Sequence, residues 1–197
     1  MINKDFWYDA LRSGAILGIV MAVSRIFELY LLAFSDGALM TMSIWYLVEW
    51  VIAAGVFVWL VVRFSKRRAA DSDPKYGYSY SVALSYILTI SMLAGIIVGT
   101  ANTLFIGAMG YEAYVEGMVG RIDQMRELYA GMNLQMYDAD FNKMIAAMRS
   151  AEQPSMLSTV FASLNNYLLT GGILGLIIAG VVSRRPQMFS NEHNDNE

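Results

Sequence analysis

Apolar positions along the chain gather into four long runs, from about Leu11 to Phe34, Ile44 to Val62, Ser81 to Ile106 and Met156 to Val182. Each is roughly 20 residues or more, the length that carries an α-helix across about 30 Å of hydrocarbon. The first run continues past Arg25 without a small-residue cleavage site, so it is expected to stay as an anchor rather than leave as a signal peptide. Between the third and fourth runs the pattern changes. Tyr111, Val115, Met118, Ile122, Met125, Tyr129, Met132 and Met136 recur by fours and threes, the heptad stripe of an amphipathic helix. Gly117, Gly120 and Gly131 each weaken that helix by about 1 kcal/mol relative to Ala, and a break is expected near Gly131. A second short helix follows, with Asp138 as N-cap and Phe141, Met144, Ile145 and Met148 on its apolar side, and Pro154 opens the last run. The pattern predicts an all-α, four-helix transmembrane bundle over residues 1–186. A helical extracytoplasmic insert, 107–155, lies between helices 3 and 4, and a polar, disordered tail occupies 187–197.

Charge gives the orientation. Lys4 and Arg12 precede the first run, Arg63, Lys66, Arg67, Arg68 and Lys75 lie between the second and third, and Arg184 and Arg185 follow the fourth. The turn at 35–43 carries Asp36 and neither Lys nor Arg, and the insert has more acidic than basic residues. Basic loops stay in the cytoplasm, so both termini are predicted cytoplasmic. The run from Arg63 to Arg68 reads as this topology signal, with anionic lipid as a further ligand for it. Trp45, Trp50, Trp59, Tyr76, Tyr78 and Tyr80 read as interfacial anchors.

On the first run Gly14, Gly18, Ala22, Arg25 and Glu28 fall within about 120° of one another. One stripe thus carries small residues and charges together. Gly95 and Gly99 repeat the pattern on the third run, and Gly172 and Gly175 on the fourth. Small residues at such spacings let helix backbones approach closely in lipid, which assigns these six glycines to helix packing. The polar residues form a second group: Arg25, Glu28, Glu49, Asn102, Asn165 and Asn166. At 1.5 Å per residue, Arg25, Glu28 and Glu49 lie about 13, 9 and 8 Å from the outer ends of their spans. Charges in hydrocarbon need partners or water, so Arg25 is expected to pair with Glu28 or Glu49. One carboxylate is then left over, either protonated or open to water from outside.

Composition narrows the chemistry. The chain is 56% hydrophobic and 16% charged, against about a quarter charged in a soluble domain, and its mean hydropathy is +0.43. It has no cysteine and one histidine, His193 in the tail, which leaves no thiolate chemistry and little for zinc. A net charge of −3 speaks against a nucleic-acid partner. No Gly-rich phosphate loop, His-Glu-x-x-His helix or Gly-x-Ser-x-Gly elbow occurs, so no enzymatic activity, cofactor or metal is expected. The insert's methionines raise the question of Cu(I), which thioethers bind. Their heptad spacing and the absence of a nearby histidine favour a flexible apolar face instead. Met118, Ile122, Met125, Tyr129 and Met132 are read as a partner face. The pair Asp138 and Asp140 falls short of a divalent-cation site.

The order of these features resembles a known family. A Gly-rich first span is followed by a basic hairpin, then by Tyr78-Ser79-Tyr80-Ser81-Val82-Ala83-Leu84 entering a small-residue third span. An acidic, Met-rich insert and a last span ending in Ser183-Arg184-Arg185 complete the order. This is similar to the domain of unknown function 4199 family, bacterial membrane proteins seen chiefly in Bacteroidota, over Asp5 to Arg185. The resemblance implies an inner-membrane location and brings no catalytic residue with it.

The bilayer and a homo-oligomeric or membrane-protein partner are the expected contacts. The Met-rich face points to a non-enzymatic scaffold or accessory subunit that docks a partner through its outer helices. The alternative is a small transporter or channel built on Arg25, Glu28 and Glu49. In the inner half of the spans only Ser85 and Thr89 offer polar groups, which favours the scaffold.

Overall fold

The computed structural model describes residues 4–35, 39–72, 77–132 and 135–184. Expectations placed on Asp36, Lys75, Tyr76, Arg185, His193 and the tail lie outside these residues. The helices are α1 (Lys4–Ala33), α2 (Leu39–Ala70), α3 (Tyr80–Met109), α4 (Tyr111–Gly131), α5 (Asp138–Ser150) and α6 (Met156–Val182), with a 3-10 turn at Gln135–Tyr137 before α5. By length and composition α1, α2, α3 and α6 can cross a membrane, and α4 and α5 form the insert between α3 and α6.

Local chemistry fixes the helix ends. Ser79 and Ser155 cap α3 and α6, their hydroxyls accepting from Val82 N and Ser158 N at 3.4 and 3.2 Å. Gly110, at φ +90°, takes a conformation that disfavours other residues and turns the chain from α3 into α4. Two expected ends differ. Pro154 stands just before the Ser155 cap rather than inside α6, and Asp138 is the first residue of α5 rather than its cap. The 3-10 turn runs straight into α5, so Tyr137 is already helical in backbone and the Asp138 carboxylate sits in the first turn, facing the helix's positive end.

The core centres on α3. In its most apolar segment 50% of residues are buried, against 17% for α2. α3 lies extensively against α6 and α1, whereas α2 leans on α1 and touches α6 and α3 only lightly. Leu17, Val61, Tyr86, Ile87 and Ile90 are fully buried between the helices. Glycines make the close crossings. A Cβ on Gly95 or Gly99 would stand 2.7 Å from the Cα of Leu164 or Val160 in α6, and one on Gly14 or Gly18 would stand 2.8 Å from Leu93 or Ile97 in α3. On α6 Gly175 packs as expected, but Gly171 takes the place expected of Gly172. Gly171 meets Ser91 with no room for a side chain and Gly175 meets Leu84 and Ile87, while a Cβ on Gly172 would make only an ordinary 3.6 Å contact with Leu88.

The insert is tied back onto the bundle. Gly117 of α4 crosses the end of α1 so closely that a Cβ would collide with the Ala33 backbone. The buried Arg121 closes that end of α1: its Nε donates to Leu32 O at 3.0 Å, and Nη2 donates to Leu31 O, Ser35 O and Ser35 Oγ. Carbonyls that a helix end leaves unsatisfied thus meet a fixed cation. α5 returns antiparallel along α4, Tyr129 stacking edge-on to Phe141 at 5.4 Å and Arg149 pairing with Glu116 at 3.0 Å. At the other end of the bundle, Tyr78 N donates to Arg184 O at 2.9 Å and Arg184 N to Tyr78 O at 2.8 Å, joining the α2–α3 link to the end of α6. Tyr78 is therefore buried, not an interfacial anchor, whereas Trp45, Trp50, Trp59 and Tyr80 are exposed.

Candidate functional site

Because α2 is held lightly, the four spans leave a cavity of about 630 Å³ between them. Its lining repeats at helical spacing on each wall. α1 supplies Met21, Ser24, Arg25 and Glu28, and α2 supplies Tyr46, Glu49, Trp50, Ala53 and Phe57. Opposite them stand Val98 and Asn102 of α3, with Thr159, Ser163, Asn166, Tyr167 and Thr170 of α6. The polar groups concentrate toward the insert end of the spans, and Met21, Phe57 and Leu174 close the deeper part.

Two carboxylates and one guanidinium set the electrostatics. Arg25 Nη1 lies 2.5 Å from Glu28 Oε2, one turn along α1, and Tyr46 of α2 lines the same cavity. Glu49 receives the Ser24 hydroxyl across the α1–α2 interface and has no cationic partner among the described residues. Phe57 and Tyr167 meet edge to face at 5.8 Å where α2 approaches α6. Asn102 keeps a buried Oδ1 without a hydrogen-bond partner among the described residues. The insert lies close above this charged region: burial raises the pKa of Tyr114 in α4, Arg25 opposes the rise, and Tyr111 and Glu28 add to it.

A profile of the family described as protein of unknown function, DUF4199, matches residues 12–184, which include every residue of the cavity wall. The chain belongs to the DUF4199 family. Neither the curated proteins nor the solved structures gave a match.

Of the six intramembrane polar residues named from sequence, the fold gathers Arg25, Glu28, Glu49, Asn102 and Asn166 around the cavity. Asn165 is the exception. It stands one position, about 100°, round α6 from Asn166, and it is exposed without lining the cavity. The partner face is partly taken up within the chain. Ile122 is buried, Tyr129 packs on Tyr137 and Phe141, and Met118 and Met125 are half-buried, leaving Met132 exposed. The heptad stripe serves the contacts of α4 with α5 and α1, since a surface helix buries its apolar face on whatever lies nearest.

Sequence reasoning missed Ser24, Tyr46, Ser163 and Tyr167 at the cavity. Ser24 and Tyr46 sit one turn from Glu28 and Glu49, a signal that spacing alone could have supplied. It also missed a polar group at the opposite end of the bundle. There Tyr86, fully buried on α3, donates to Asp9 Oδ2 or Ser13 Oγ of α1, each at 2.9 Å. Ser65, Arg68 and Tyr78 each keep a buried polar atom without a partner among the described residues, as does Ser91 midway along α3.

Proposed function

We propose that this multi-pass membrane protein binds a small polar solute in the cavity and passes it across the bilayer, with α2 as the wall that moves. The observation that supports this reading is the cavity itself. A space within the usual ligand range of about 300–1,000 Å³ is lined by charged groups inside apolar spans, where ionisable side chains are costly unless they serve a path or a pair. Polar groups also continue beyond the half anticipated from Ser85 and Thr89, through Ser91 to Tyr86, Ser13 and Asp9. Exposed Met132, Met136 and Met144 on the insert favour a second reading, an accessory subunit that docks a membrane partner or another copy there. Under either reading the protein sits in a bacterial inner membrane with its termini in the cytoplasm and has no catalytic role.

The test is flux in reconstituted vesicles, followed with a pH-sensitive dye and by solute counterflow. Glu49→Gln is expected to lower the protein-dependent flux by about tenfold or more. Flux equal to that of empty vesicles for both proteins would refute transport and leave the docking reading.

A further inference from the structure

We infer that the cavity selects an organic ammonium ion, a protonated amine carried on a short apolar body. This rests on the reading of the cavity as a solute site and names the chemistry of the solute.

Charge, ring placement and shape lead to it. Glu28 is already paired with Arg25, so these two contribute no net charge. Glu49 has only the Ser24 hydroxyl, a neutral donor, among the described residues. The wall therefore carries one carboxylate without a counter-charge, inside a segment where hydrocarbon makes such a charge costly. A cationic occupant relieves that cost, whereas an anion would add to it. The rings of Tyr46, Trp50, Phe57 and Tyr167 line the same cavity, and aromatic faces attract ammonium groups, most strongly out of water. An ammonium brings hydrogen-bond donors without acceptors, and the Glu49 carboxylate on the cavity wall offers acceptors. Beyond the polar region Met21, Phe57 and Leu174 provide an apolar end for the body of the solute. A bare metal ion would leave those apolar and aromatic walls unused.

The test is isothermal titration of the full chain in phosphatidylcholine nanodiscs, corrected for empty nanodiscs, with hexylammonium, hexanol and hexanoate as probes of equal length. Hexylammonium is expected to bind about tenfold or more tightly than hexanoate, and Glu49→Gln to remove that preference while leaving hexanol affinity unchanged. Ala53→Lys, one turn along α2 from Glu49, tethers an ammonium beside the carboxylate. It is expected to abolish hexylammonium binding, and it keeps the inference testable if Glu49→Gln does not fold. Hexanoate binding as tightly as hexylammonium, or hexylammonium binding indifferent to both variants, would overturn the inference. Hexanol binding with no charge preference refutes the ammonium assignment and leaves the solute cavity standing, while binding of none of the three refutes both.

Discussion

At the scale of single residues, burial decides what a polar group does, and Tyr78 isolates the effect. It is 3% exposed, and its hydroxyl has no hydrogen-bond partner among the described residues. Burial pushes its pKa from 10.0 up to about 12, with Arg68 opposing and Asp9 adding. The folded chain thus holds the phenolic proton more tightly than the unfolded chain does. That contribution to stability is complete below pH 10 and is lost as the pH rises from 10 toward 12. Tyr78→Phe removes the titration and the unsatisfied hydroxyl together, a group that costs about 1–3 kcal/mol when buried alone. Thermal unfolding in detergent is expected to give the variant a melting temperature no lower than the parent's at neutral pH, and a shallower decline between pH 10 and 12. Parallel declines would show that Tyr78 does not titrate with unfolding. Sequence could reveal Arg25 and Glu28 because a charge in an apolar run is conspicuous. Tyr78 read as an interfacial anchor and Tyr86 stood unremarked inside an apolar run, and only their place in one core with Phe6, Ala10 and Ala83 shows what they do.

At the scale of helices, backbone approach is what glycine provides. Gly95→Leu and Gly99→Leu would each place a side chain where a Cα of α6 stands 2.7 Å from the new Cβ. Backbone cannot step aside as a flexible side chain can, so each is expected to cost about 1–3 kcal/mol and to loosen α6 from α3. Gly55→Leu and Gly180→Leu, with nothing within 4 Å of a new Cβ, serve as controls expected within about 0.5 kcal/mol of the parent. Thermal melts of the four variants check the contrast, and equal losses at all four sites would mean that lost glycine flexibility, not crowding, sets the cost. The existence and face of the helices were legible from periodicity, because lipid forces backbone groups into helices and apolar runs reveal them. Which of Gly171 and Gly172 makes the contact was not legible. Neighbours on one helix differ by about 100°, and the choice belongs to Ser91 on another helix. The insert posed the same problem: the Met stripe predicted α4, but its occupants, α1 through Gly117 and Arg121 and α5 through Phe141, come from distant parts of the chain.

At the scale of the whole molecule, orientation determines from which side the cavity fills. Its polar region lies toward the insert, whereas Arg63, Lys66, Arg67 and Arg68 lie at the opposite end of α2. Basic residues resist translocation, so the polar region should face the outside and the Tyr86, Asp9 and Ser13 group the cytoplasm. The cysteine-free sequence makes this directly measurable, because any thiol introduced is the only one present. Met136, 77% exposed on the insert, and Asp71, exposed beyond the end of α2, mark the two sides. In intact spheroplasts, a membrane-impermeant maleimide is expected to label Met136→Cys at once and Asp71→Cys only after permeabilisation. The opposite pattern would turn the polar end of the cavity, and Glu49 with it, toward the cytoplasm. Label reaching both sites equally would mean that the chain inserts in both orientations, so that the polar end of the cavity opens to either side of the membrane.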